Sequence, residues 1–222
     1  MPLVRYPHAR ILVFCKAPQA GKVKTRLAKS VGETIATTVH EHLARHCLQQ
    51  VVDFAVAPVE LWCAPSTGHD FFQYCGAELG IPLKQQTGND LGQRMQHAIN
   101  ETLCDQAPVV LIGTDCPALT ADYLYSAFSA ASENKTVIVP AEDGGYVLLG
   151  MNTLQSKLFV DIPWGTSQVY AETMERVTGE VEVLMPLWDV DYVADLRRLR
   201  AARDDMPLDE EFRAYLEKLD LS

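Results

Sequence analysis

Ile11-Leu12-Val13-Phe14-Cys15-Lys16-Ala17-Pro18-Gln19-Ala20-Gly21-Lys22-Val23-Lys24-Thr25-Arg26-Leu27 is the stretch on which the fold turns. Its first four residues are an unbroken apolar run, the pattern of a strand buried on both faces. A loop with Pro18 and Gly21 follows. Beyond it Leu27, Val31, Ile35, Val39, Leu43 and Cys47 recur every four positions, which predicts one long helix with a single apolar stripe. Strand, loop and helix start in this order make an anion site, because free backbone N–H groups and the positive helix end point at the ligand. Lys16, Lys22, Lys24 and Arg26 crowd the loop, four of the chain's 19 Lys and Arg where even spacing would put about one. On a chain of net charge −10 that local reversal is expected to serve an anion. Read as exposed loop cations, Lys24 and Arg26 should add little to stability. The competing reading is a solvated basic turn capping the helix. The loop is neither a Walker loop, since Gly21 lacks the upstream glycine, nor a G-x-G-x-x-G fingerprint.

Outward from this stretch, strands and helices alternate. Strands are expected at 59–63, 82–86, 109–112, 136–139, 146–149 and 181–184, and helices at 70–79, 91–103, 121–131, 167–177, 192–203 and 208–219. Alternation of this kind implies an α/β fold whose mostly parallel sheet is covered on both faces. With 222 residues, the chain suits one domain over 1–222. Pro163-Trp164-Gly165-Thr166 reads as the rim loop of a site.

In such a sheet ligands bind outside the carboxyl ends of the strands. Asp115, in Gly113-Thr114-Asp115-Cys116-Pro117, follows the most apolar strand. Asp143 lies in the turn Glu142-Asp143-Gly144-Gly145, where glycines allow close backbone approach. Asp189 and Asp191 alternate in Trp188-Asp189-Val190-Asp191 and share a side if extended. All could converge on the basic loop. Carboxylates beside a phosphate loop suggest Mg²⁺ or Mn²⁺ shared with substrate phosphates. Each Asp could instead cap a helix, Asp191 above all, since it precedes the helix expected at Tyr192. In Asn89-Asp90-Leu91-Gly92-Gln93-Arg94 either Asp90 caps a plain helix start, or the segment puts Arg94 beside a nucleobase or a phosphate. His42 and His46, four apart and off the apolar stripe, are expected on an exposed helix face; as zinc ligands they lack a third partner.

Composition excludes other classes. Apolar residues make up 48% and charged residues 22%, as in globular proteins. A pI near 5.0 argues against binding a nucleic-acid polymer. Cys15, Cys47, Cys63, Cys75, Cys104 and Cys116 show no metal spacing and read as reduced core thiols. No apolar run spans a membrane and no signal-peptide core is present, so a cytoplasmic location is expected.

Five segments in this order resemble a known family: Phe14-Cys15-Lys16-Ala17-Pro18 through Gly21, Lys24 and Arg26; Asp90-Leu91-Gly92 with Arg94 and Met95; Gly113 to Pro117; Asp143-Gly144-Gly145-Tyr146 to Gly150; and Asp189-Val190-Asp191. The chain resembles the bacterial radical-SAM/selenodomain-associated transferases of nucleotide-diphospho-sugar transferase fold. It is more distantly similar to molybdenum-cofactor and phospholactate guanylyltransferases. The resemblance implies a GT-A-type, Rossmann-like α/β/α sandwich and a basic loop that holds triphosphate. It also implies metal ligation by Asp115 and Asp191.

Together these readings point to a metal-dependent transferase that acts on a nucleotide and a small-molecule acceptor. Nucleotidyl transfer from an NTP to a phosphorylated acceptor comes first, because the central strand ends in one acid where GT-A glycosyltransferases carry Asp-x-Asp. Lys16, Gly21, Lys24, Arg26 and Arg94 would bind the nucleotide, with Lys24, Arg26 and Asp143 in the chemistry. Glycosyl transfer from a nucleotide sugar is the rival, with Asp143 as base, and a nucleotide-binding module without turnover is the third reading.

Overall fold

The computed structural model describes residues 4–221; residues 1–3 and 222, at the ends of the expected 1–222 domain, lie outside the described residues. Among the described residues seven strands form one sheet: β1 (Arg10–Lys16), β2 (Val59–Ala64), β3 (Leu83–Gln85), β4 (Val109–Ile112), β5 (Thr136–Pro140), β6 (Tyr146–Met151) and β7 (Val181–Val183). Their order is β3-β2-β1-β4-β6-β5-β7. All neighbours are parallel except β6, which runs against both β4 and β5. The connection at 141–145 is too short for a crossover, so β5 and β6 must form a hairpin. The expected α/β class with a mostly parallel sheet is what the chain adopts.

The helices are α1 (Thr25–Val31), α2 (Glu33–Asp53), α3 (Asp70–Leu79), α4 (Leu91–Leu103), α5 (Ala121–Ser132), α6 (Val169–Arg176), α7 (Val193–Ala202) and α8 (Glu210–Lys218). The sheet separates two apolar layers by the alternation of its strands. Ile11, Val13, Cys15, Val110 and Ile112 face the layer containing Leu48, Phe72 and Phe128 of α2, α3 and α5. Leu12, Phe14, Val109 and Leu111 face the opposite layer with Met95, Ala98 and Ile99 of α4. A third cluster joins Leu27, Val39 and Leu43 to Leu196, Leu199, Phe212 and Leu216, and so packs α7 and α8 onto α1 and α2.

Two expectations are corrected. The predicted long helix is two helices, because Gly32 stands at φ 85°, ψ 159° between them, a conformation an L side chain rarely adopts. The periodicity runs through the break because Leu27 and Val39 pack into the same cluster. His42 and His46 are buried, not exposed: α8 covers them, and the His42 ring stacks on Phe212 at 4.8 Å between centroids. An apolar stripe marks only one covered face, and the helix supplied by α8 lies too far along the chain to show in the local pattern. All six cysteines are free, and Cys104 alone of them is exposed. No helix among the described residues is long and apolar enough to cross a membrane.

Candidate active site

The carboxyl ends of β1 and β4 and the β5–β6 turn open on one side of the sheet, and segment 187–191 is fastened there. Leu187 N donates to Pro140 O at 3.0 Å, Glu142 N to Leu187 O at 3.0 Å and Val190 N to Asp115 O at 3.0 Å. Backbone pairing thus carries Asp189 and Asp191 to the end of β4.

Lys24 is the centre of the arrangement. Its Nζ lies 2.7 Å from Asp115 Oδ1 and 3.3 Å from Asp191 Oδ1, with the side chain only 2% exposed. Its backbone is left-handed, φ 46°, ψ 42°, a conformation uncommon for a non-glycine residue. The expectation of an exposed loop cation is therefore wrong for Lys24: α1 starts immediately after it and turns the side chain inward. Burial opposes its charge, yet Asp115 and Asp191 raise its pKa above the ordinary lysine value. For Asp115, too, burial works against ionisation, and Lys24 and His40 overcome it, holding the carboxyl well below the usual range. His40, on α2, supports this pair from behind. Its Nε2 lies 2.8 Å from Lys16 O and must donate, since a carbonyl only accepts, and its Nδ1 is 3.9 Å from Asp115 Oδ1.

Arg26 reaches across the opening. It donates to Asp191 Oδ2 at 3.0 Å and to Gly165 O at 2.8 Å, lies 3.7 Å from Asp143 Oδ2 and stands 5.6 Å over the Tyr192 ring. Asp191 does not cap α7. Asp195 does so, accepting from Asp191 N at 3.0 Å and Tyr192 N at 2.7 Å. That capping box leaves the Asp191 carboxylate for the cations. Asp143 Oδ1 accepts from Gly145 N at 2.9 Å. Gly144 is at φ 91°, and a Cβ on it would lie 2.2 Å from Ser167 O, so this turn tolerates only glycine.

Carboxylate oxygens of Asp143, Asp189 and Asp191 all lie within 4.8 Å of one another. Burial first, then the neighbouring Asp143 and Asp191, push the Asp189 carboxyl up to about 7. Three hard oxygen donors this close together are of the kind a small divalent cation takes. Asp191 thus joins Asp143 and Asp189, while Asp115, paired with it in the sequence reading, sits across Lys24.

Two cavities meet here. A crevice of about 350 Å³ is lined by Lys16, Lys22, Lys24, Arg26, His40 and Gln86 among others. A second of about 320 Å³ has mainly apolar walls, and Arg26 and Asp191 border both. Gly21, at φ 74°, shapes the loop, with the Glu33 carboxylate 3.2 Å from where a Cβ would stand. Arg94 is elsewhere: its Nε donates to Gly88 O at 3.0 Å, and it lines neither cavity. Asp90 caps α4 through Gln93 N at 2.8 Å. Sequence reasoning missed His40 and Gln86. Gln86, which donates to Trp62 O at 2.8 Å and Cys15 O at 3.3 Å, follows β3, and the strand-end rule that marked Asp115 applies to it equally.

Residues 47–166 match the family described as "Uncharacterized protein conserved in bacteria (DUF2064)". No curated protein matches the chain. A solved structure from Desulfovibrio desulfuricans, provisionally named a nucleotide-diphospho-sugar transferase, is 32% identical with a TM-score of 0.84, over 96% of this chain and 95% of that one. A cytidylyltransferase from Leptospira borgpetersenii is 16% identical, with a TM-score of 0.59 over 96% of this chain and 93% of that one. A 4-diphosphocytidyl-2C-methyl-D-erythritol synthase from Anaerococcus prevotii is 10% identical, with a TM-score of 0.60 over 89% and 96%. The last two share the fold. Structural neighbours are thus named as nucleotidyltransferases and as a nucleotide-sugar transferase.

Proposed function

The chain belongs to the DUF2064 family of proteins conserved in bacteria, and from that premise we propose that it is a metal-dependent nucleotidyltransferase, moving an NMP group from an NTP to a small phosphorylated acceptor. One observation carries the reading: Lys24 and Arg26 of the basic loop meet Asp143, Asp189 and Asp191 at the strand ends, beside a crevice lined by cations. Lys16, Lys24 and Arg26 hold the triphosphate, and the backbone around Gly21 approaches it closely. Asp143, Asp189 and Asp191 would hold Mg²⁺ or Mn²⁺, which would supply neutralisation of phosphate charge and polarisation of the α-phosphorus. Asp115 keeps Lys24 charged and aimed into the crevice.

An acceptor phosphate oxygen attacks the α-phosphorus and pyrophosphate leaves. The acceptor is already ionised, so no base is required, and catalysis is alignment plus charge neutralisation. No protein nucleophile is needed, in keeping with the cysteines: burial pushes the Cys116 thiol up to about 12, which leaves no thiolate.

A second reading, glycosyl transfer, is favoured by the name of the D. desulfuricans relative and by the position of Asp143. It is the exposed member of the three carboxylates and borders the second cavity, where a base for an acceptor hydroxyl belongs. Calorimetric titration with the four common NTPs and with nucleotide sugars, each with and without Mg²⁺, tests the proposal. An NTP should bind with affinity that rises with the metal, and Asp191→Asn should lose the metal-dependent part. Metal-independent binding in wild type would overturn it, and nucleoside diphosphate rather than pyrophosphate as product would select the second reading.

A further inference from the structure

The second cavity says what kind of acceptor the site takes. Its wall is built by Phe14, Leu91, Met95, Leu111, Tyr146 and Trp164. Two glycines make that wall possible. A Cβ on Gly92 would fall 2.7 Å from Trp164 Nε1 and 2.6 Å from Phe159 O, and one on Gly144 would collide with Ser167. The indole therefore lies on bare α4 backbone, and the 163–167 loop closes on the β5–β6 turn. Three sequence motifs whose polar residues do other work, 89–95, 142–145 and 163–166, meet in this slot.

Three of its polar wall atoms are already engaged, and the Trp164 indole N–H is one further donor. The Thr166 hydroxyl donates to Pro163 O at 2.8 Å, Gly165 O accepts from Arg26, and the Tyr146 hydroxyl is directed at Met95 Sδ, 4.0 Å away. Charge is found at one end only, at Arg26, Asp143 and Asp191. A polyol placed here could pair hydroxyls only at the charged end and at the Trp164 N–H and would leave the rest against carbon, which is costly. A carbon-rich body suits the walls, with one anionic end at Arg26.

We infer that this slot binds the acceptor and that the acceptor is a small monophosphate with an aromatic or branched-aliphatic body, not a sugar phosphate. This rests on the transferase reading above. The test is calorimetric titration of the full chain with phenyl phosphate and with glycerol 3-phosphate, matched in charge. Phenyl phosphate should bind at least about tenfold tighter. Trp164→Ser and Met95→Gln should each remove about tenfold of that affinity, while Trp164→Phe holds it within about threefold. NTP binding with Mg²⁺ should stay within about twofold in all three variants, which also shows that they fold. Equal or tighter binding of glycerol 3-phosphate, no binding of phenyl phosphate, or indifference to both polar substitutions would overturn the inference and leave the nucleotide reading standing. Absence of metal-dependent NTP binding in wild type would instead overturn the nucleotide reading, and the acceptor role with it.

Discussion

Lys24 shows why one residue is both support and instrument. Buried between Asp115 and Asp191, its ammonium separates two carboxylates that would otherwise repel across a poorly solvated gap. Lys24→Ala should therefore cost about 1–3 kcal/mol, below the 3–5 kcal/mol of a fully buried pair because both carboxylates keep some water contact. Asp115→Asn removes the same interaction from the other side, so the double variant should be clearly less destabilised than the sum of the two. Urea denaturation of the four proteins completes the cycle, and strict additivity would show that the pair does not couple. Asp143 separates the two chemistries. In nucleotidyl transfer Asp143→Asn should mainly weaken metal binding. In glycosyl transfer with inversion it should lower kcat by roughly 10²–10⁴-fold at saturating substrate with donor binding kept. Steady-state kinetics with varied metal decides between these outcomes.

Among the elements, α8 explains most of what local pattern could not show. It is a short helix capped by Asp209, whose carboxylate accepts from Phe212 N at 2.7 Å, and it seals α2 by laying Phe212 on His42. His46 Nε2, one turn along, is buried with no hydrogen-bond partner among the described residues. For both imidazoles burial lowers the pKa, outweighing the pull of Asp209 and, at His42, Glu211. The sign of the linkage follows. The unfolded chain takes up these protons near pH 6.5 while the folded chain resists them, so stability is full above that pH and falls as pH drops through it. His46→Leu keeps an apolar filler and removes one titration. The stability gap between variant and wild type should shift in the variant's favour between pH 7.5 and 5.5, as read by denaturation midpoints. A gap that does not change with pH would exclude the histidine as its source.

Across the whole molecule, what could be read from the chain was whatever short-range pattern encodes. Ile11–Phe14 and Val109–Ile112 are apolar runs because both sheet faces are covered, and their loops carry charge because strand ends are where this fold leaves backbone groups free. The convergence of Asp143 and Asp191 on Lys24 and Arg26 was legible for that reason. The burial of Lys24, the support from His40, and the grouping of Asp189 with Asp143 depend on segment 187–191 crossing to Asp115 through Val190 N, a long-range pairing with no local mark. A helix start and a phosphate contact use the same residues, so the chain alone left the place of Arg94 open; its Nε donates to Gly88 O. The convergence also predicts how the protein responds to ligands. Basic loop, β4 end, β5–β6 turn and 187–191 come from separate stretches of chain, so a ligand that bridges them stabilises the fold as a whole. An NTP with Mg²⁺ at 100 times its Kd contributes about 2.7 kcal/mol, which for a chain of this size is a rise of roughly 5–10 °C in Tm. Metal alone should do less, since Arg26 already bridges Asp143 and Asp191 and the ion must displace it. Nucleotide alone should also do less, since Lys24 is engaged by its carboxylates. Together each frees the partner the other needs: the cations move to phosphate and the carboxylates to metal. Thermal unfolding with each ligand and with both should therefore show a joint shift larger than the sum of the separate ones, the signature of positive coupling. A joint shift equal to that sum would mean that phosphate and metal occupy independent sites, and the shared-charge arrangement around Lys24 and Arg26 would have to be abandoned.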